Sequence, residues 1–242
     1  MAKGGGPVIY VTGDTHGSFG RIKEFLEEQQ TTKEDIMIIL GDAGINYYEG
    51  KKDIRLKEEL STWPITFFLI RGNHEKNPEN ILSYIECPFK DGTALIEPEY
   101  SNLIFAKDGE VYSFEVDGII KKAIVIGGAY SVDKYYRLSK GYKWFEDEQP
   151  SDGVKARVEK KLSEIGWKVD YVLTHTAPIR YEPREWFLSM IDQSTVDNST
   201  EIWLDEIFDK LTFEKWYCGH YHGEKTIDKL RFLFEGYKML GD

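Results

Sequence analysis

The order of apolar and polar residues along the chain predicts strands and helices in alternation. Continuous apolar runs at 7–12, 36–40 and 65–70 indicate buried strands, because each run is short and bounded by turn residues. Two segments with helical spacing, 18–30 and 53–60, lie between these runs. Strand, helix, strand, helix, strand predicts a parallel sheet, and uninterrupted apolar strands are typical of a sheet covered on both faces.

The middle of the chain has a different pattern. Short β-type runs follow one another between residues 95 and 126, and the turn dipeptides Asp108-Gly109 and Asp117-Gly118 separate them. This pattern predicts antiparallel hairpins. The chain has no repeat, low-complexity tract or linker, so we expect a single domain over residues 1–242.

Beyond residue 150 the alternation of helix and strand returns. Helical spacing at 151–165 and 198–211 alternates with apolar runs at 169–173 and 215–218. The tail, 226–239, predicts one or two closing strands.

Composition narrows the class of protein. The 242 residues carry a net charge of −11, which weighs against binding of long nucleic acids, since that needs a basic surface. No run of about 18 apolar residues exists, so we expect no membrane-spanning helix. The first residues lack the apolar core of a secretory signal, and Cys87 and Cys218 form no CxxC pair. We therefore expect a cytoplasmic protein. Its oligomeric state is left open.

The histidines carry the strongest chemical signal. All of them stand just after predicted strands, in turns: His16, His74, His175, His220 and His222. The same turns contain Asp14, Asp42 and Asn73. Ligands of α/β sheets bind beyond the carboxyl ends of the strands, so these side chains should meet at one edge. Mixed imidazole and carboxylate groups suit zinc, manganese, iron or nickel better than calcium or magnesium.

The spacing of these residues supports a metal site. Asp14 and His16 are two residues apart, as are His220 and His222, and in an extended chain such residues point to the same side. Each pair can bind one metal or bridge two. Candidate ligands are also preceded by glycines, where a larger side chain would crowd a metal cluster: Gly13, Gly41, Gly72 and Gly219.

Five short motifs, in this order, resemble those of the calcineurin-like metallophosphoesterases. They are GDTHG at 13–17, GD at 41–42, GNHE at 72–75, TH at 174–175 and GHYH at 219–222. The motifs extend over nearly the whole chain. The resemblance implies an α/β fold, a four-layer α/β/β/α sandwich with two mixed β-sheets.

The resemblance also implies a site with two divalent transition-metal ions, manganese being favoured over iron, zinc or nickel. One ion would be bound by Asp14, His16 and His222, the other by Asn73, His175 and His220. Asp42 would bridge them, and His74 would donate a proton to the leaving group or contact the phosphate. The implied activity is hydrolysis of a phosphomonoester or phosphodiester by a hydroxide held between the metals. The substrate would be a small molecule, a nucleotide or a phosphoprotein.

Two alternatives stay open. Arg71 begins an RGNHE sequence similar to that of the phosphoprotein phosphatases, in which the arginine contacts phosphate, so a protein serine/threonine phosphatase is one alternative. Against it, the Asp-Arg-Gly of that branch is missing after Asp42, and GHYH is closer to the phosphodiesterase-like branches. Arg71 could equally form a structural ion pair. A non-catalytic scaffold on the same fold is the second alternative.

Two further groups of residues could line a substrate pocket. One follows the strand end at Gly127-Gly128 and comprises Ser131, Asp133, Lys134, Tyr135 and Arg137. It could instead be the start of a helix, with Ser131 or Asp133 as its cap. The other group is aromatic and could rim the pocket or be packed inside: Tyr47, Tyr48, Trp144 and Phe145.

Overall fold

The computed structural model describes residues 6–242, and its elements follow the apolar runs of the sequence. In chain order the strands are β1 Ile9–Thr12, β2 Ile36–Ile39, β3 Thr66–Leu69, β4 Ile85–Phe89, β5 Gly92–Ile96, β6 Leu103–Ala106, β7 Val111–Val116, β8 Ile119–Ile126, β9 Tyr171–Thr174, β10 Lys215–Cys218, β11 Lys225–Ile227, β12 Leu230–Phe232 and β13 Lys238–Met239. The α-helices are α1 Gly20–Gln29, α2 Lys51–Ser61, α3 Lys134–Lys140, α4 Asp152–Glu164 and α5 Ser199–Lys210.

The strands form two mixed sheets. The first has the order β13-β1-β2-β3-β6-β5-β4, in which β1, β2, β3 and β6 are parallel and the remaining strands antiparallel to their neighbours. The second has the order β11-β12-β10-β9-β8-β7, with a parallel centre and antiparallel edges. The predicted parallel sheet and the hairpins in the middle of the chain are both present.

The buried residues divide into three apolar layers, which give the sandwich its four-layer architecture. Val11 and Ile38 of the first sheet pack with Leu173 and Tyr217 of the second, between the two sheets. The alternate residues of the first sheet, such as Met37, pack under α1 and α2. The outer face of the second sheet packs under α4 and α5. Side chains on successive strand residues point to opposite faces, so strands buried on both sides read as continuous apolar runs.

Several expectations about single elements need correction. Asp117-Gly118 does form a hairpin turn, between β7 and β8, and both residues have positive φ (51° and 75°). Asp108-Gly109 does not, because it joins β6 to β7, which belong to different sheets. The Asp108 carboxylate accepts a hydrogen bond from the Gly127 N–H at 2.6 Å, a long-range contact that no local pattern indicates.

Two regions differ from the sequence expectation, and a third agrees with one of its alternatives. The sequence analysis does not predict β4; the strand contains Pro88 and lies at the edge of the sheet, where proline is tolerated. The tail forms three strands instead of one or two. The residues after Asp133 form the short helix α3, as the helix-start alternative predicted, although Asp133 makes no side-chain capping hydrogen bond.

Over residues 6–242, every helix is too short or too polar to cross a membrane.

Candidate metal centre

The turns that follow five strands of the two sheets meet at one edge of the sandwich. Two ligand-bearing turns of the first sheet are joined by the N–H groups of Thr15 and His16, which donate to the Asp42 carbonyl at 3.1 and 2.8 Å. Two turns of the second sheet are joined by the Gly219 N–H, which donates to the His175 carbonyl at 2.9 Å. The backbone itself therefore fixes the relative positions of these turns, so side chains distant in the sequence are held in one cluster.

The first part of the cluster is formed by Asp14, His16 and His222. The buried Asp14 carboxylate accepts the His220 N–H through Oδ1 at 2.9 Å. Its Oδ2 has no hydrogen-bond partner in the part of the chain that the structure describes, and it lies 3.3 Å from His222 Nε2. The two Nε2 atoms of His16 and His222 are only 2.9 Å apart. Because a buried, unpartnered carboxylate oxygen is costly, these atoms fit ligands that converge on a cation.

The Asp42 carboxylate occupies the centre of the cluster. Its Oδ1 accepts the His74 N–H at 2.8 Å, and its Oδ2 lies 3.6 Å from His175 Nε2, 3.6 Å from His74 Nδ1 and 3.9 Å from His16 Nδ1. Burial alone would raise the pKa of Asp42, but the surrounding histidines and the His74 N–H hold that pKa below its ordinary value. This position between both groups of histidines is the one that a bridging ligand requires.

The second part of the cluster is formed by Asn73, His175 and His220. His175 Nδ1 donates to the Leu40 carbonyl at 2.7 Å, so in the neutral ring Nε2 carries no proton. Asn73 donates through Nδ2 to Ser131 Oγ at 2.8 Å and turns its Oδ1 toward His175 Nε2, also at 2.8 Å. Asn73 Oδ1 and His175 Nε2 are therefore two acceptors that face each other, as expected for two ligands of one metal ion. The hydrogen bond to the Leu40 carbonyl fixes the orientation of the His175 ring.

His220 lies against this pair, its ring centre 4.9 Å from that of His175. Burial lowers the pKa of His220 to about 3, so the ring is neutral, as a metal ligand must be.

Three glycines make room for the cluster, since a Cβ atom at Gly219 would overlap the Asp14 carboxylate. A Cβ atom at Gly72 would overlap the Asp42 carboxylate, and one at Gly41, whose φ is +96°, would overlap the His175 ring. Several candidate ligands also have positive φ, a conformation that costs a non-glycine residue energy and is found at functional sites. They are His16 (47°), Asp42 (46°), His220 (66°) and His222 (49°). No pattern in the sequence indicated this strain.

The structure brings Arg71 into an ion pair, not to the cavity. Its guanidinium lies 3.1 Å from Asp108 Oδ2 and donates to the carbonyl groups of Asp147 and Glu148 at 3.0 and 2.9 Å. Arg71 is 3% exposed. These contacts are those of a structural ion pair, the alternative that the sequence analysis gave for Arg71. A catalytic role for Arg71 stays a prediction, and these contacts do not favour it.

His74 is held by two residues of the Ser131–Arg137 group. Arg137 Nη2 donates to His74 Nδ1 at 3.0 Å, and Arg137 Nε donates to Asp133 Oδ2 at 2.7 Å. A guanidinium has no acceptor, so Nδ1 must accept, and a neutral His74 carries its proton on Nε2. That atom lies 3.5 Å from Asp133 Oδ1. Burial opposes the His74 cation, but Asp42 and Asp133 outweigh it, and the pKa of His74 is raised.

A cavity of about 490 Å³ opens beside the cluster. Asp42, Asn73, His74, His220 and His222 line it on one side. The rest of the lining includes residues that the sequence analysis missed: Glu182, Trp186, Phe187, Leu188, Ile191, Val196 and Glu201. None of the aromatic residues expected at the rim (Tyr47, Tyr48, Trp144 and Phe145) is among the lining residues. Tyr47 instead accepts a hydrogen bond from Arg137 at 3.2 Å.

Comparison with known proteins places this arrangement in a family. The family model described as calcineurin-like phosphoesterase matches residues 7–240. One solved crystal structure is 14% identical, with a TM-score of 0.52 over 98% of this chain and 96% of that chain, which shows a common fold. The crystal structure of the protein TT1561 of Thermus thermophilus is 11% identical, with a TM-score of 0.49 over 95% of this chain and 89% of that one.

A protein serine/threonine phosphatase from Saccharomyces cerevisiae, described as similar to human phosphatase PP5, is 18% identical, with a TM-score of 0.33 over 94% of this chain and 67% of that one. No curated protein matches the chain in sequence. The family binds divalent metals, and its members are usually metal-dependent phosphoesterases. Because the family model matches nearly the full length of the chain, this chain belongs to the calcineurin-like phosphoesterases.

Proposed function

We propose that the chain hydrolyses a phosphoester with the help of two divalent transition-metal ions, of which we favour manganese. The observation that carries the proposal is the Asp14 Oδ2 atom, which is buried beside the His16 and His222 rings and has no hydrogen-bond partner within residues 6–242. Among the residues that the structure describes, three groups of ligand atoms in this cluster could hold an ion, and Asp14, His16 and Asp42 each belong to two of these groups. Such overlap fits two neighbouring ions better than one.

In this proposal Asp14, His16 and His222 hold one ion, Asn73, His175 and His220 hold the other, and Asp42 lies between them. When bound, two such ions supply Lewis-acid stabilisation of the phosphate oxygens and lower the pKa of water. They also reverse the sign of the local field. The chain has a net charge of −11 and two buried aspartates here, so phosphate would be repelled without the ions.

The reaction is a displacement at phosphorus. An oxygen atom from water bonds to phosphorus while the bond from phosphorus to the leaving-group oxygen breaks. That oxygen takes up a proton, and the products are an alcohol and a phosphate or phosphomonoester. His74 is the proposed proton donor, acting through Nε2 as the imidazolium cation. In that form Nδ1 also carries a proton, which faces Asp42 Oδ2 at 3.6 Å in place of accepting from Arg137, and loss of the Nε2 proton to the leaving-group oxygen leaves a neutral ring. Arg137 and Asp133 position the ring.

Metal content and ester hydrolysis test this proposal on one sample. The protein is purified without chelator or metal affinity, its metals are counted by mass spectrometry, and p-nitrophenyl phosphate and bis-p-nitrophenyl phosphate are assayed with and without manganese. About two ions per chain with hydrolysis of either ester supports the proposal, and the ratio of rates distinguishes monoesterase from diesterase. Failure to take up any metal on titration would favour the scaffold alternative.

The protein phosphatase alternative rests on the RGNHE sequence alone. In that alternative Arg71 contacts the substrate phosphate, whereas the Arg71 guanidinium is engaged with Asp108 and backbone carbonyl groups. Faster hydrolysis of phosphoserine or phosphothreonine peptides than of both nitrophenyl esters would revive it.

A further inference from the structure

The cavity has a second wall, outside the candidate metal ligands, that differs sharply from them in composition. It is formed by the segment between β9 and α5, together with the first turn of α5. Its side chains are mainly large and apolar: Trp186, Phe187, Leu188, Ile191 and Val196. Tyr221, between the last two histidines, lies parallel to Phe187, with 6.4 Å between the ring centres. This wall suits a flat apolar group attached to a phosphate that lies at the cluster.

Two carboxyl groups lie in this apolar wall. Glu201 is 4% exposed, and within the described residues its Oε2 atom has no hydrogen-bond partner. Glu182 also lines the cavity, and the exposed Arg184 lies 4.0 Å from its carboxylate. A buried carboxyl oxygen without a partner is destabilising, so it needs an explanation.

The pKa values of Glu201 and Glu182 also indicate that the ionised forms of these carboxyl groups are poorly stabilised. Burial raises the pKa of Glu201 to about 7, with Glu182 and Asp197 adding negative charge, although Thr176 and the Glu201 N–H act in the opposite direction. Burial also raises the pKa of Glu182. A group that brought hydrogen-bond donors to this part of the cavity would give Glu201 Oε2 a partner, and Glu182 lines the same cavity.

We propose that this end of the cavity binds the leaving group of the substrate, and that this group is a flat ring bearing an amino group that donates to Glu201 and Glu182. The proposal rests on the proposed phosphoesterase function and names its substrate class. An amino nitrogen fits better than a hydroxyl group because it offers two N–H donors to two carboxyl groups. The ring would pack on Trp186 and Phe187.

Matched pairs of esters test this directly in the metal-loaded protein. Adenosine 5′-monophosphate is compared with purine riboside 5′-monophosphate, which lacks the amino group, and 4-(aminomethyl)phenyl phosphate with 4-methylphenyl phosphate. We expect kcat/KM to favour the amino member of at least one pair by about tenfold or more. The first pair carries its ring on a sugar and the second does not, so the pair that responds identifies the source of the ring.

Variants assign the preference to the carboxyl groups. We expect Glu201→Gln to lower the ratio within the responding pair at least about fivefold, and Glu182→Gln, a second variant at a less buried position, to lower it too. Glu206→Gln is the matched control, since Glu206 is an exposed residue of the same helix, and should leave the ratio unchanged. Thermal unfolding distinguishes a ligand-binding role of Glu201 from a structural one. If Glu201 binds the ligand, Glu201→Gln should keep or raise the melting temperature; if Glu201 were purely structural, its replacement would lower the melting temperature.

A binding measurement keeps this proposal separate from the hydrolysis proposal. Calorimetric titration with adenosine and with purine riboside needs no turnover, and we expect adenosine to bind at least about tenfold tighter. Preferential binding without hydrolysis of any ester would overturn the phosphoesterase function but support the pocket. Equal kcat/KM within both pairs, or equal loss on both members of the responding pair in Glu201→Gln, would overturn the pocket. If the nucleotide pair is the one that responds, equal binding of adenosine and purine riboside would overturn it too.

Discussion

The two sides of the cavity are built in opposite ways. The metal side consists of strand-end turns from the parallel centres of both sheets, and its Asp14, Asp42 and His175 are at most 2% exposed. The substrate side consists of short turns between β9 and α5, with half-exposed apolar residues such as Leu188 at 55%. Rigid sheets hold groups whose positions must be accurate, while an irregular segment can vary in shape without disturbing them. In the proposed function, the metal side would carry the chemistry and the substrate side the selectivity.

The largest effect should come from the centre of the metal side. We expect Asp42→Asn to lower kcat on p-nitrophenyl phosphate by roughly 10³-fold, because the carboxylate between the two groups of histidines loses its charge. Metal content should fall in the same protein. Asp117→Asn, in the exposed hairpin turn between β7 and β8, is the control and should match the wild type. Full activity of the metal-loaded Asp42→Asn variant would show that Asp42 is not a bridging ligand.

A smaller loss is expected from the proton donor, and it should depend on the ester. His74→Ala should slow hydrolysis of an alkyl phosphate by about 10²-fold, but slow p-nitrophenyl phosphate much less, because nitrophenolate leaves without a proton. The measurement is kcat for both esters at one pH with metal in excess. Equal losses would instead assign His74 to phosphate binding.

The two arginines near the site should behave differently. Arg71→Ala should lower the free energy of unfolding by about 3–5 kcal/mol, since it leaves the buried Asp108 carboxylate unpaired. Arg137→Ala should lower it by less than about 1 kcal/mol, because its partner Asp133 is 36% exposed, yet it should lower kcat by releasing His74. Urea unfolding and kcat are measured on both variants. Stable but inactive Arg71→Ala would restore its role as a phosphate contact.

The smallest effect concerns the buried carboxyl group of the substrate side and depends on pH. Because the pKa of Glu201 is raised to about 7 in the folded protein, the folded state binds a proton more tightly than the unfolded one. The stability that this proton contributes is complete below the ordinary glutamate pKa and is lost as the pH rises through 7. Above pH 7, Glu201→Gln should therefore be about 1–3 kcal/mol more stable than the wild type.

This advantage should disappear at about pH 4, where the wild-type carboxyl group is protonated in both states. Urea unfolding at several pH values measures it. The exposed Glu206→Gln should change stability by less than about 0.5 kcal/mol at every pH. A Glu201→Gln variant that is less stable than the wild type at pH 8 would show that the carboxylate has a stabilising partner.

The family, the parallel centre of the fold and the candidate ligands could all be predicted from the order of amino acids. Each signal is local: an apolar run followed by a turn with aspartate, asparagine or histidine. Parallel strands align their carboxyl ends, so local motifs after β1, β2 and β3 had to meet at one edge. The need for glycine at Gly41 and Gly72 also followed from this crowding, and the structure agrees.

The partners of Arg71 and the wall of the cavity could be seen only in the folded chain. Arg71 meets Asp108 because the turn after β6 crosses between the sheets, which the turn dipeptide Asp108-Gly109 does not reveal. The segment with Trp186 and Phe187 has no helical or strand periodicity, so nothing in its sequence indicates what it packs against. Periodicity reports a regular element and its buried face. The contacts of irregular segments depend on where the rest of the chain lies, and that is settled only when the whole fold is formed.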